Sequence, residues 1–498
     1  MPLCLLLYLG DLLCCSSPVF LWACRFEGAR VASRSAPTLR PPLSSARRRC
    51  ASAAICSCWT RVLRVYPSVT SVMATVLILG GLGPWQDGTR HLLPYLLALP
   101  APPAFVRIVD RPLLIPAIDA YTCYADRTFC NAMKAGTAAG KVEYVQGNLL
   151  VPGMREKAFV LPSHLAERSD GFDWVFDFTG EKHDSPDEVH RERTLGLAAS
   201  LAKTAASASV GVYVRRLDTC YRSRKNEGIV GSPDTVAEPW GSLSSWQHEA
   251  GRVLAAQEGL PLVLLRHGLL YGAATVTGVT PRLAIGQIYH HEGEKLDLLW
   301  SESLAQHTVH VADWCAALVA AARWARSCGS HAAVLRAHSE ALVPSKHAQC
   351  AAKTVPGLDA TKSLGAAVFS VVDDGETTQS DIARVTEAVM DVKIGFQGSV
   401  VSSFAKLNLD EVTIDVNEKH LDCWSEMLHA SSTADTTVSP VSPLIPADLL
   451  GPNPIAFTSE PLKRLTAWEP ERRLTEAMAR ETVESFRKEG LWPELRTK

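Results

Sequence analysis

The chain has 498 residues, of which 47% are hydrophobic and 20% are charged, a composition typical of a globular protein with room for two or three domains. Its 50 basic and 52 acidic side chains nearly cancel, and the net charge of −2 excludes a strong general attraction to nucleic acid or to an anionic membrane. No motif typical of nucleic-acid binding is present. We therefore expect neither nucleic acid nor a membrane as a partner of the folded part.

The cysteines divide into two groups of seven. One group precedes residue 60, and the other is scattered through the rest of the chain without a C-x-x-C spacing. This distribution argues against a zinc site and against a disulfide framework in the core, and it favours a reducing compartment. We predict a cytoplasmic protein without a metal site.

The first 72 residues differ in composition from the rest. Residues 1–24 are largely apolar but contain Asp11, which suits a signal anchor poorly, and residues 28–72 contain eight arginines and no acidic residue. A segment rich in Arg and Ser and poor in acids is typical of a mitochondrial presequence. Alternatively, the native protein starts at Met73, directly before the first predicted strand. On either interpretation we expect 1–72 to be disordered and exclude it from the fold.

A glycine turn follows the first predicted strand, Thr75 to Leu79. The turn contains Gly80 and Gly83, and a helical pattern begins at Thr89. This order of strand, glycine turn and helix predicts a site for a dinucleotide pyrophosphate, because the glycines admit the phosphates and the helix start offers free N–H groups. Gly88 can serve as the third glycine of this fingerprint only if two extra residues bulge the turn.

The second predicted strand, Ala104 to Val109, is followed by Asp110. An acidic residue at this place accepts hydrogen bonds from the adenosine ribose hydroxyls, which favours NAD. Arg111 stands beside it and is suited to a 2′-phosphate, so NADP remains open as the cofactor.

Apolar runs alternate with helical patterns from Met73 onward. Further strands are predicted at Lys141–Gln146, Phe172–Phe178, Val210–Val214, Leu262–Arg266 and Ala367–Val372, and helices at Glu188–Ser207, Ser244–Gln257, Val311–Arg326, Thr377–Asp391 and Arg473–Lys488. Near-continuous apolar strands separated by helices indicate a parallel sheet covered on both faces. We predict an α/β protein with a doubly wound parallel sheet, that is, a Rossmann fold.

We divide the folded part into a Rossmann domain at 73–270, which binds NAD(P), and a smaller C-terminal substrate lobe at 271–498 that interleaves with it. Residues 329–365 show no clear periodicity, and we predict a flexible insertion there.

The order of these motifs resembles the extended and atypical short-chain dehydrogenase/reductases, specifically the NAD-dependent epimerase/dehydratase group. The resemblance covers roughly residues 74–470 and rests on short segments in a fixed order: GGLG at 80–83, VD at 109–110, QGNL at 146–149, FDWVFDFTG at 172–180, LVLLRHGLLYG at 262–272 and HTVHVAD at 307–313. It implies that Asn148 and Leu149 bind the adenine side of the cofactor. It also implies that Thr179 and Gly180 form a small-residue turn over the cofactor.

One catalytic feature of that family is missing. Its chemistry uses a Tyr whose pKa is lowered by a Lys four residues later, and the best alignment places Leu243 and Gln247 at these two positions. Neither side chain can transfer a proton. Thr219 and Tyr221 follow the fifth strand, where the family carries a substrate-orienting Ser or Thr, and we take them as the catalytic candidates.

The resemblance implies an oxidoreductase that acts on a secondary alcohol, a ketone or a sugar-nucleotide-like small molecule. The missing Tyr–Lys pair supports a different class, a non-catalytic dinucleotide-binding sensor or scaffold. A third alternative, a structural protein that has lost the cofactor, rests on Pro84 and Trp85, which add bulk beside the pyrophosphate site. The family often dimerises, so a homodimer is also implied.

Overall fold

A computed structural model describes residues 73–114, 123–166, 170–224, 228–398, 409–431 and 439–494. The predictions for 1–72 lie outside the described residues. Met73 to Lys498 constitute one structural unit.

An eight-stranded sheet forms the centre of this unit. Its strands are β1 (Thr75–Leu79), β2 (Phe105–Asp110), β3 (Val142–Gln146), β4 (Trp174–Asp177), β5 (Val212–Arg216), β8 (Leu262–His267), β12 (Glu340–Leu342) and β13 (Leu364–Val371). Their spatial order is β12-β13-β8-β5-β4-β1-β2-β3, and every neighbouring pair is parallel except β12 with β13. The series β3-β2-β1-β4-β5 is the strand order of a Rossmann fold, so the predicted fold class is confirmed.

The helices cover both faces of the sheet. In chain order they are α1 (Thr89–Ala98), α2 (Arg127–Ala138), α3 (Pro152–Phe159), α4 (Ser163–Ala166), α5 (Asp187–His190), α6 (Leu197–Ser207), α7 (Ser242–Ala255), α8 (Thr280–Glu292), α9 (Val311–Cys328), α10 (His331–Ala337), α11 (Ala348–Thr354), α12 (Gln379–Met390), α13 (Leu409–Ala430), α14 (Ala447–Leu450), α15 (Glu460–Thr466) and α16 (Glu476–Arg487). None of the described helices is long and apolar enough to cross a membrane.

Strand β1 shows why the apolar segments of the sequence form a sheet that is buried on both faces. All of its side chains are buried, and the four apolar ones alternate between two hydrophobic cores. Val76 and Ile78 pack in the core that contains side chains of α1, α2 and α9, whereas Leu77 and Leu79 pack in the core that contains those of α6 and α7. A strand whose two faces are both covered has to be apolar at every position, since successive side chains point in opposite directions.

Six further strands are short and pair outside the main sheet. They are β6 (Tyr221–Ser223) with β7 (Ala237–Pro239), β9 (Leu269–Tyr271) with β11 (Thr308–His310), and β10 (Leu296–Leu298) with β14 (Ile394–Phe396). The last two of these pairs and helices α8, α12, α13 and α16 make up much of the chain from residue 269 onward.

The structure differs from the predicted elements in several places. The helix predicted at Glu188–Ser207 contains a π-helical segment, Arg191–Gly196, between α5 and α6. Residues 329–365 contain α10, β12 and α11, so this stretch has regular structure rather than the irregular loop that we predicted. Helices α2, α3, α8, α13 and α15 were not predicted.

Candidate functional site

A cleft of about 480 Å³ opens at the carboxyl ends of β1, β2 and β4. Strand β1 lies between β2 and β4. Strands β2 and β3 extend the sheet on one side of β1, and β4 and β5 extend it on the other side. Open α/β sheets bind ligands at such a switch point in strand order. Seven of the eight predicted cofactor-binding residues line this cleft: Gly80, Gly83, Asp110, Asn148, Leu149, Thr179 and Gly180.

The glycine turn is a tight loop that depends on its first two residues. Gly80 and Gly81 have φ angles of +69° and +90°, in the left-handed region that favours glycine. The backbone N–H of Gly80 donates to the carbonyl of Val109 at 2.9 Å, and the Thr89 hydroxyl donates to the carbonyl of Gly80. A Cβ atom on Gly81 would lie 2.6 Å from Thr89 Oγ1. The turn therefore brings bare backbone to the floor of the cleft.

Gly88, the eighth predicted residue, does not line the cleft. It is the N-cap of α1, and a Cβ atom there would lie 2.8 Å from the Phe178 ring. This is the packing role of the third glycine in the dinucleotide fingerprint, which lets the helix approach the sheet closely. The extra residues that precede Gly88 thus leave this role intact.

Asp87 anchors the enlarged turn to the C-terminal part of the chain. Its fully buried carboxylate pairs with Arg90 and accepts hydrogen bonds from the backbone N–H groups of Val276 at 3.0 Å and Thr277 at 2.9 Å. Burial by itself would raise the pKa of Asp87, but Arg90 and the hydrogen bonds hold this pKa well below its usual range. The carboxylate stays charged and fixes the bulge.

Asp110 connects the end of β2 to the glycine turn. Its carboxylate accepts hydrogen bonds from the backbone N–H of Leu82 at 2.9 Å and from that of Arg111 at 2.7 Å. Burial raises the pKa of Asp110, although both hydrogen bonds oppose the shift. The Arg111 guanidinium lies 3.3 Å from a carboxylate oxygen of Glu181 across the cleft.

The facing wall is built by the turns after β3 and β4. The Asn148 side-chain oxygen accepts a hydrogen bond from the backbone N–H of Leu150 at 3.0 Å, which closes an Asx turn. The backbone N–H of Glu181 donates to the hydroxyl of Thr194 at 3.2 Å. Thr194 belongs to the π-helical segment, which also carries Arg193 into the cleft lining. Such segments are frequent at functional sites.

A buried polar network lies behind the Thr179–Gly180 turn. Arg215 pairs with Asp177, and both side chains are fully buried. Arg215 also donates to Gln247 Oε1 at 2.8 Å and to the Thr179 carbonyl at 3.2 Å. The sequence analysis did not predict this ion pair. The sequence signal that could have indicated the pair is a charged residue at the end of each of two apolar strands, β4 and β5.

The two catalytic candidates do not line the cleft. Thr219 is 5% exposed and its hydroxyl lies 3.4 Å from His267 Nδ1. Tyr221 is fully buried, and its hydroxyl has no hydrogen-bond partner among the residues that the structure describes. Burial raises the pKa of Tyr221 well above its usual value, so the phenol stays protonated.

A second polar group stands next to the helix that carries Gln247. The Ser244 hydroxyl donates to the carboxylate of Asp218, and His183 Nε2 lies 3.8 Å from the same carboxylate. Burial would raise the pKa of Asp218, but His183 and Ser244 lower it below its usual value, so the group is a carboxylate near neutral pH. Sequence reasoning missed this group, because its three members are far apart in the chain. No metal-binding cluster of His, Cys, Asp or Glu occurs within the described ranges.

No protein-family model and no curated protein matches the chain. Several solved structures are similar to it. The enzyme WbmG of Bordetella bronchiseptica in complex with NAD and UDP is 13% identical over 85% of this chain and 97% of its own, with a TM-score of 0.47. The dTDP-glucose 4,6-dehydratase of Bacillus anthracis in complex with NAD is 15% identical over 84% and 98%, with a TM-score of 0.48.

The UDP-glucose 4-epimerase of Thermotoga maritima with UDP-glucose is 13% identical over 83% of this chain and 99% of its own, with a TM-score of 0.48. These identities and TM-scores are low, so the proposals below rest on the residues of this chain.

Proposed function

We propose that the cleft binds a nicotinamide dinucleotide, preferably NAD. The observation that carries this proposal is the convergence of the glycine turn, Asp110, Asn148 and the Thr179–Gly180 turn on one cavity at the switch point of the sheet. Their positions in the chain span 100 residues, and the strand order brings them together at the place where such sheets bind dinucleotides.

Each part of the dinucleotide has residues suited to hold it. The glycine turn suits the pyrophosphate, because it lines the cleft with backbone that carries no side chain, and backbone N–H groups favour an anion. Asp110 suits the adenosine ribose, and Asn148 with Leu149 suits the adenine. The nicotinamide half then extends toward Thr179 and Gly180. Bound there, the cofactor would accept or give a hydride.

The preference for NAD over NADP follows from Asp110. A carboxylate accepts hydrogen bonds from ribose hydroxyls but repels a 2′-phosphate at close range. Arg111, which is suited to that phosphate, pairs with Glu181. The local charges therefore favour the unphosphorylated ribose.

For the chemistry, two functions compete. The first is hydride transfer to or from a secondary alcohol, ketone or sugar-nucleotide-like substrate, with residues 271–498 supplying much of the substrate lobe. The Ser244–Asp218–His183 group favours it, since its hydroxyl, carboxylate and imidazole lie together and His183 follows Gly180 by three residues. The second is a non-catalytic sensor or scaffold. Leu243 and Gln247 favour it, because they stand where the resembled family has its Tyr and Lys, and Gln247 is held by the buried Asp177–Arg215 pair.

Calorimetric titration of the full-length chain with NAD, NADH, NADP and NADPH tests the binding proposal. We expect NAD and NADH to bind more tightly than their phosphorylated counterparts. A protein that binds none of the four, or that binds NADP more tightly than NAD, contradicts it. Absorbance at 340 nm with NAD and a panel containing UDP-glucose, dTDP-glucose and simple secondary alcohols, together with chromatography of the sugar nucleotides, then separates the two functions. An enzyme that returns the hydride to its own substrate forms no net NADH but converts the sugar nucleotide, whereas a sensor neither forms NADH nor converts a substrate.

A further inference from the structure

The residue after Gly83 changes the donors that the turn can offer. It is Pro84, which has no backbone N–H. A phosphate that lies over the turn between Gly83 and Gly88 therefore meets one backbone donor fewer than it would with any other residue at that position.

Trp85 lies where that donor is missing. Its indole ring packs on Gly83, and a Cβ atom on Gly83 would be only 3.0 Å from ring atoms Cε2 and Cζ2. Trp85 lines the cleft together with Gly80 and Gly83. The absence of a side chain on Gly83 thus makes room for this ring beside the floor of the cleft.

The indole N–H of Trp85 is an unused donor. The Nε1 atom is buried and has no acceptor in the part of the chain that the structure describes. An indole nitrogen can only donate, so a polar partner must bring an acceptor oxygen. The cations that line the cleft are already engaged, since Arg111 and Arg193 lie 3.3 and 4.0 Å from the carboxylate of Glu181.

We propose that the Trp85 indole N–H donates a hydrogen bond to the diphosphate of the bound dinucleotide and replaces the backbone donor that Pro84 lacks. This inference rests on the proposed function, because it needs a diphosphate in the cleft. Protein atoms enclose the N–H, so the ring turns away from Gly83 as the hydrogen bond forms. Trp85 is then a residue that selects for ligands with a diphosphate.

The test is a titration of full-length wild type and Trp85→Phe with NAD, ADP and adenosine. The Phe variant keeps an aromatic ring and loses the N–H. We expect NAD and ADP to bind about tenfold more weakly to the variant, as for a lost hydrogen bond to a charged group, and adenosine to bind equally to both. Ligand-induced tryptophan fluorescence change should also shrink in the variant.

Trp300→Phe is the matched control, because the Trp300 indole donates to the carbonyl of Leu450 at 2.6 Å, outside the cleft. It should leave the affinity for all three ligands unchanged. Should Trp85→Phe fail to fold, Trp85→Leu repeats the comparison.

Equal NAD affinity in wild type and Trp85→Phe overturns the inference and leaves the proposed function standing. Tighter binding to the variant also overturns it and shows that the ring only fills the phosphate site. An equal loss for adenosine assigns Trp85 to the adenosine side and likewise overturns it. A wild type that binds neither NAD nor ADP removes the proposed function and this inference together.

Discussion

The two ends of the cleft are built in opposite ways. At the end formed by the glycine turn and Asp110, backbone and a carboxylate face a cavity. At the end behind Thr179, the chain fills the space with its own paired side chains, Asp177, Arg215 and Gln247. Binding elements and chemical elements are therefore separable within one fold, and the fold by itself does not decide the activity.

The end behind Thr179, the closed end, is also the more constrained of the two. A buried ion pair costs desolvation on both sides, and it is tolerated only where each group finds its partner and further hydrogen bonds. Asp177 meets that condition, since it also accepts from the Tyr213 hydroxyl at 2.7 Å and from the Thr179 N–H at 2.8 Å. Loss of one member leaves the others buried and unpaired.

The largest effect is therefore expected from Asp177→Ala. It leaves the Arg215 charge buried without its carboxylate, and the free energy of unfolding should fall by about 3–5 kcal/mol in a urea titration. Asp184→Ala is the control, because Asp184 is an exposed acid whose pair with Lys182 should contribute at most about 1 kcal/mol. A loss below about 1 kcal/mol for Asp177→Ala would show that the closed end is not constrained as described.

Gly83→Val tests the end formed by the glycine turn and Asp110, the open end. The added methyl groups occupy the space beside the turn, and we expect NAD affinity to fall at least about a hundredfold in calorimetry. The protein should still fold, because the first atoms met are those of the Trp85 side chain, which can shift. Gly153→Val, at a position with open space around it, should bind NAD normally. Unchanged affinity of Gly83→Val would reduce the glycine turn to a structural feature.

Asp110→Ala should weaken NAD binding about tenfold and bring the affinities for NAD and NADP closer together. The carboxylate makes the ribose contact in our proposal and also holds the Leu82 N–H of the glycine turn. Asp234→Ala, which removes an acid that is not among the residues lining the cleft, serves as the control. A variant that keeps the full preference for NAD would contradict the role assigned to Asp110.

The same carboxylate predicts how NAD binding depends on pH. Burial raises the pKa of Asp110 above 3.8, so on acidification it takes up a proton earlier than an ordinary Asp and can no longer accept both ribose hydroxyls. We expect the affinity to be constant near neutral pH and to fall as the pH drops through that raised pKa. Asp110→Asn should be weaker at neutral pH and lose this dependence. An identical pH profile in the Asn variant would assign it to another group.

Tyr221→Phe should have the smallest effect. The hydroxyl that it removes is buried and unpaired in the described part of the chain, so we expect unchanged NAD affinity and a change in unfolding free energy within about 1 kcal/mol. Calorimetry and urea titration measure both. A large loss of any hydride-transfer activity in this variant would restore Tyr221 as a catalytic residue and require the closed end to open during the reaction.

Much of the fold was accessible from the sequence. The strands predicted at Thr75 to Leu79 and at Leu262–Arg266 agree with β1 and β8 almost residue for residue. Strands buried on both faces have to be continuously apolar, and glycines and helices separate them clearly. The residues that line the open end were equally visible, because they follow the carboxyl ends of parallel strands, which lie at the same edge of the sheet.

The pairing of side chains at the closed end could not be predicted, because local sequence patterns do not encode contacts between distant segments. Nothing near Asp177 in the sequence indicates Arg215, and nothing near Ser244 indicates Asp218. The sequence alone determined that a doubly wound sheet carries a glycine turn and an acid at adjacent strand ends, because hydrophobic periodicity and turn chemistry are local properties. Only the tertiary structure decided that Tyr221 is enclosed and that an ion pair lies behind Thr179, because burial and pairing depend on which distant segments pack together.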